Sequence, residues 1–140
     1  MTAFWEFAEL PFHEDKSAGL LCGLLEESGF TVETGLAGIP TCFTGTFSFG
    51  SGRPVMGILG EYDALSGLSQ EAAVPVKKEL MEGAPGHGCG HCALGTGALA
   101  AAIAVKKYLE EFRKDGTIIY LAALPRKGRI ETVHGPCGDV

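Results

Sequence analysis

The chain has 140 residues, 46% of them apolar and 20% charged, a composition that fits one globular domain and excludes a disordered chain. Its formal net charge is −6, and its basic residues cluster no further than Lys77-Lys78 and Lys106-Lys107, which excludes a nucleic-acid groove. No basic leader followed by an apolar run opens the chain, and no unbroken apolar stretch matches a bilayer, so a cytoplasmic protein without a membrane partner is expected.

Residues His13 to Ser28 read as an amphipathic helix. Ala18, Leu21 and Leu25 recur at helical spacing beside Leu20 and Leu24, Glu14 and Asp15 suit the first turn, and Gly29 stands where a C-terminal cap belongs. His13 is expected at the surface. Phe30 to Thr34 alternates like a half-buried strand, and Thr41 to Phe47 and Val55 to Leu59 are two further β-prone runs. After Leu59, Gly60-Glu61-Tyr62-Asp63 sets two carboxylates two residues apart at the end of a strand, where α/β folds place their sites. The same pattern is also that of a solvated loop. Ser69 to Gly83, with Lys77, Lys78, Glu79 and Glu82, reads as an exposed insertion or a short helix.

The stretch Gly86-His87-Gly88-Cys89-Gly90-His91-Cys92 concentrates the metal-capable and redox-capable side chains. Three readings remain open from spacing alone. Cys89 and His91, at i and i+2 on extended backbone, point the same way and can share a divalent metal. Cys89 and Cys92 form a C-x-x-C pair at a helix N-terminus, where the dipole lowers a thiol's pKa and favours disulfide exchange. The third reading is a tight turn with two buried cysteines. Five cysteines in a reducing compartment favour core thiols, ligands or redox groups over a structural disulfide framework.

From His91 to about Phe112 a helix is signalled by Leu94, Ala98, Leu99, Ala102, Ile103, Val105 and Leu109. Apolar residues surround its first half, which is therefore expected to be buried. Thr117 to Ala123 reads as a central strand, and Leu124 to Val140 is neither helical nor alternating.

Four segments in this order, Trp5-Glu6-Phe7-Ala8-Glu9-Leu10, Ala37-Gly38-Ile39-Pro40-Thr41, Leu59 to Leu65, and Gly86 to His91 followed by Leu94-Gly95, resemble the amidohydrolase branch of the zinc-aminopeptidase-like metallopeptidases. Ordered motifs across one chain are far more specific than any single motif. The resemblance runs from about Trp5 to about Ala123 and implies an α/β fold: part of a zinc-aminopeptidase-like catalytic domain, truncated, with a mixed sheet and flanking helices. It implies a two-metal site, Zn or Mn, that hydrolyses the amide of a small N-acyl amino acid or dipeptide. A homo-oligomer or a partner subunit is implied for the full-length family. Cys89 and His91 match the metal ligands and Asp63 matches the aspartate that orients a ligand from behind. Glu61 stands where other branches place a ligating histidine, and His87 matches a histidine expected to support the loop.

Two departures stand out. Members of the branch carry a Glu-Glu pair after the strand matching Thr117 to Ala123, general base and metal ligand; here Leu124-Pro125-Arg126-Lys127-Gly128 follows. Cys92 replaces the usual Asn or Asp. It creates Cys-Gly-His-Cys, the active-site tetrapeptide of protein disulfide isomerase, although no Trp precedes Cys89 and no apolar strand leads into the motif. Residues 1–123 thus read as the N-terminal part of a metallohydrolase catalytic domain, and 124–140 as a tail foreign to it. Read one base forward from Leu124, permitted codons allow C-P-A, a basic residue and G-G-S-K, close to the branch's continuation, so a frameshift is expected there. The chain is expected to be an inactive fragment, with a thiol-disulfide oxidoreductase or a non-catalytic short paralogue as the alternatives.

Overall fold

The computed structural model describes residues 2–122, so the tail from Leu124 and its expected frameshift lie outside the described residues. The elements are α1 (Thr2–Phe7), α2 (Asp15–Glu27), β1 (Thr31–Thr34), β2 (Phe43–Phe49), β3 (Val55–Gly60), α3 (His91–Glu111) and β4 (Gly116–Ala122). They form a mixed four-stranded sheet in the order β1-β2-β4-β3. β1 and β2 pair antiparallel, as do β2 and β4, whereas β3 runs parallel to β4. A parallel pair needs a long crossover. Here residues 61–115 make it, and they include the Cys/His loop and α3.

α2 packs on β1 and β2, α3 packs on β3 and β4, and the two helices touch. Leu21 and Leu25 of α2 are fully buried, and together with Phe30, Phe43, Leu99, Ala102, Leu109, Ile118 and Tyr120 they form one core. Phe43 lies at its centre, with ring centroids 6.0 Å from Tyr62 and 5.9 Å from Tyr120.

The mixed sheet with flanking helices is the expected architecture. Differences fall at the ends of elements. β2 starts at Phe43 and not Thr41, because Thr41 turns its hydroxyl to the Glu14 carboxylate, 2.8 Å away. α1 is an addition: six residues are too few to show a helical period. Residues 69–83 contain no helix; turns there are tied by the Ser69 hydroxyl, which accepts from the Leu80 and Met81 amides, and by Gln70, whose side-chain oxygen accepts from the Lys78 amide. Glu14 does not lie in the solvated first turn. It precedes α2 and is buried.

The first half of α3 is buried on one side only. Cys92, Gly95, Ala98, Leu99 and Ala102 face the core, while Leu94 is 48% exposed beside exposed Ala93, Gly97, Ala100 and Ala101. Small apolar residues on both sides hide which face is inward. The helix bears on the expectation about bilayers: an 18-residue window within its 21 residues reaches a mean hydropathy of 1.3, enough by length and composition for a span, although its inner face packs on the sheet.

Because Leu25 is fully buried against β2, Leu25→Ala should cost about 2–5 kcal/mol. A urea titration should show a lowered midpoint, whereas Leu24→Ala, at a position 37% exposed, should cost far less.

Candidate functional site

β3 ends at Gly60, and the next three residues alternate: Tyr62 turns into the core at 1% exposure, while Glu61 and Asp63 stay partly exposed. This is the period of extended backbone. Three backbone contacts hold the segment: the Ala64 amide donates to the Glu9 carbonyl at 2.7 Å, and Leu65 and Gly86 exchange hydrogen bonds of 3.0 and 2.9 Å. The exchange sets the Glu-x-Asp segment beside the Cys/His loop.

Gly90, at φ 85°, occupies the left-handed region and lets the loop turn into α3 so that His91 becomes its first residue. The His91 ring is buried, at 5% exposure, with Nδ1 2.7 Å from Asp63 Oδ1 and Nε2 2.9 Å from Glu61 Oε2. A neutral imidazole can donate to only one of the two carboxylates. Asp63 on Nδ1 fixes the ring's orientation, as a carboxylate does behind a metal-bound histidine.

His87 is buried under the same loop. Its Nε2 donates to the Phe4 carbonyl at 2.8 Å, since a carbonyl only accepts, and its ring lies 6.3 Å from that of Trp5. Nδ1 is left as a buried acceptor without a partner among the described residues. Burial pushes the imidazole below its usual range. Trp5 Nε1 donates to the Gln70 carbonyl at 3.0 Å, so α1 is pinned both to the loop and to the following segment. His87 thus ties the loop to α1 through the Phe4 carbonyl.

Cys89 is exposed and Cys92 is buried in the first turn of α3, both as free thiols. Of the four residues singled out in the sequence, Glu61 and Asp63 both meet His91, whereas Cys89 is exposed on the loop and makes no hydrogen bond to them among the described residues. No group of three or more His, Cys, Asp or Glu side chains is placed to hold a metal among the described residues. The donor atoms brought together among the described residues are those of His91, Glu61 and Asp63. Sequence reasoning missed Glu14, Thr41 and Tyr62, the buried polar residues behind the Glu-x-Asp segment; the aromatic residue between two carboxylates was the available sign.

α3 meets the site at close range. A Cβ on Gly95 would lie 2.7 Å from the Glu61 carbonyl and 3.1 Å from Tyr62 Cβ. Gly95→Ala should therefore push α3 off the segment and cost about 1–3 kcal/mol. Gly97→Ala, with nothing within 4 Å, should instead be neutral or stabilise by up to about 1 kcal/mol. Thermal melts of the pair test this contrast.

Burial raises the Glu14 carboxyl above its ordinary range, against the Thr41 hydroxyl that lowers it, with the Asp63 charge adding to the rise. The folded state thus holds the Glu14 proton to higher pH than the unfolded chain. Its contribution to stability is complete below the unfolded value of about 4.3 and is lost as pH rises through the folded value. Denaturant midpoints measured across that window should fall less steeply for Glu14→Gln than for the parent.

No family model matches the sequence. The chain is 47% identical over 124 residues to a p-aminobenzoyl-glutamate hydrolase subunit of Escherichia coli (strain K12), a match covering 89% of this chain and 25% of that protein. Among solved structures, a protein assigned as an aminohydrolase from methicillin-resistant Staphylococcus aureus matches with a TM-score of 0.67 at 22% identity, over 85% of this chain and 30% of that one. The Bacillus subtilis YXEP protein, a dinuclear metal binding peptidase from the M20 family, matches with a TM-score of 0.64 at 22% identity, over 86% and 32%. The chain thus spans about a quarter of its curated relative. It is a sequence relative of a p-aminobenzoyl-glutamate hydrolase subunit, and its described residues form part of an M20 peptidase-like fold.

Proposed function

We propose that this chain supplies part of a metal-dependent amidohydrolase acting on small N-acyl amino acids, with aminobenzoyl-glutamate or dipeptides as the substrate class. The clasp of His91 by Asp63 carries the reading, because it holds a buried imidazole in one orientation at the C-terminal end of β3. The 47% identity to a hydrolase subunit supports the same chemistry.

In this reading Cys89 and His91 are metal ligands, Asp63 orients His91, and Glu61 faces the ring nitrogen that a metal would take. Thiolate, imidazole and carboxylate together suit zinc, with manganese the alternative. Two metals per site is the proposal for the complete protein, on the likeness to a dinuclear metal binding peptidase. A divalent metal would polarise the amide carbonyl and lower the pKa of a water. The remaining ligands and the general base must come from outside residues 2–122, either from a continuation of this chain or from a partner subunit.

Residues 124–128 read Leu-Pro-Arg-Lys-Gly where the branch has its Glu-Glu pair, and we propose that 124–140 is out-of-frame translation. Loss of a general base typically removes about two to four powers of ten in rate. The chain of 140 residues should hydrolyse aminobenzoyl-glutamate or dipeptides at or near the uncatalysed rate. Restoring the shifted frame should bring back metal-dependent hydrolysis, and Cys89→Ser in the restored protein should weaken metal retention. Enzyme-like turnover by the original chain, or a genomic sequence with no alternative frame at Leu124, would refute the reading of the tail.

A further inference from the structure

The polar residues behind the Glu-x-Asp segment form a chain of their own. Glu14, just before α2, is 4% exposed and accepts from the Thr41 hydroxyl at 2.8 Å. Thr41 is 2% exposed, and its carbonyl accepts from the Tyr62 hydroxyl. Tyr62 lies between the two residues that grip His91. None of the three reaches His91 in a recorded contact. A buried carboxylate costs more than an apolar residue of its size unless its hydrogen bonds are satisfied, so stability alone does not account for Glu14.

We infer that Glu14, Thr41 and Tyr62 are positioning residues, a buried chain that sets the depth and rotation of the Glu61 to Asp63 backbone and so holds both carboxylates on the His91 ring. This rests on the reading of His91 as the working residue of the site. The reason is geometric. On extended backbone the side chains of Glu61 and Asp63 leave opposite to that of Tyr62, so fixing the Tyr62 ring fixes the direction of both neighbours. Packing against Phe43 confines the ring but does not define how deeply it inserts. The hydroxyl does, because it ends on a carbonyl that cannot move freely: the other polar end of Thr41 is held by Glu14. The start of α2 is itself fixed by Glu9, whose carboxylate accepts from the Lys16 and Ser17 amides at 3.0 and 2.8 Å and from the Ser17 hydroxyl at 2.7 Å. The same residue's carbonyl takes the Ala64 amide. The stretch before α2 therefore sets the Glu-x-Asp segment from two sides.

The test uses the full chain and two readouts: the downfield proton resonance of the His91 ring N–H bonded to Asp63, and Cd2+ affinity from thiolate absorption. Tyr62→Phe keeps the ring and deletes the hydroxyl. It should remove or shift the resonance by exposing the proton to exchange, and weaken Cd2+ binding about tenfold, the scale of losing a ligand's supporting partner. Thr41→Val should act in the same direction, and Thr41→Ser, which restores the hydroxyl, should recover both signals. Ser48→Ala, which deletes a hydroxyl bond to Thr117 at the far end of the sheet, should lower the melting temperature and leave both signals unchanged. If Tyr62→Phe and Thr41→Val lower only the melting temperature, with resonance and Cd2+ affinity within twofold of the parent, the chain is merely structural and the inference fails. If Tyr62→Phe does not fold, the Thr41→Val and Thr41→Ser pair decides. If the parent binds no Cd2+ yet Tyr62→Phe abolishes the resonance, the metal reading falls and the positioning role stands.

Discussion

A buried imidazole set between two carboxylates is the constraint on which the site end of the molecule depends. A buried donor or acceptor left without a partner costs about 1–3 kcal/mol, and hydrogen bonds to charged groups contribute about 1.5–3 kcal/mol each. At 5% exposure, water cannot substitute fully for either carboxylate on His91. The end of β3 must then lie within a hydrogen bond of the first turn of α3, and several features serve that approach. Gly95 has no side chain where the Glu61 carbonyl passes, and the Leu65 and Gly86 backbones pair to align the loop with the segment.

The sheet divides this labour between its two halves. The parallel pair β3 and β4, with α3 crossing between them, leaves its strand ends open for chemistry, as parallel units do. The antiparallel half with α2 contributes no group to the His91 cluster. Its part is to anchor, through Glu14 and Thr41 below Tyr62 and through the Glu9 carbonyl on Ala64. Burial is what chiefly raises the Glu14 carboxyl, as expected of an acid enclosed beneath the segment.

The legible parts of the sequence were those governed by short periods. Alternation in Phe30 to Thr34, the β-prone run Val55 to Leu59 and the 3.6 spacing of Ala18, Leu21 and Leu25 place three elements to within two residues. The same period of two put Glu61 and Asp63 on one side, where they meet His91. Glu14 was not legible, because an acidic residue before a helix looks alike whether it serves the dipole in water or a hydroxyl in the core, and the distinction lies in Thr41, far along the chain. The inward face of α3 was hidden for another reason. Ala and Gly on all sides erase the amphipathic contrast from which a face is read. Cys89 sits two residues from His91, but Gly90 at positive φ breaks the extended backbone that the i, i+2 reading assumes.

That break bears on the chemistry. With Gly90 in the left-handed region, Cys89 and His91 belong to different local geometries: one to an exposed loop, the other to a helix start. Two apolar side chains on the elements that flank the cluster are exposed. Leu94, one turn along α3, is 48% exposed, and Leu59, just before the carboxylates on β3, is 53% exposed. Single exposed apolar residues of this kind are ordinary on a folded surface. The His91 ring is met by Glu61 at Nε2, 2.9 Å away, and by Asp63 at Nδ1, 2.7 Å away, so the segment after β3 occupies both nitrogens while the left-handed turn leaves Cys89 in the exposed loop.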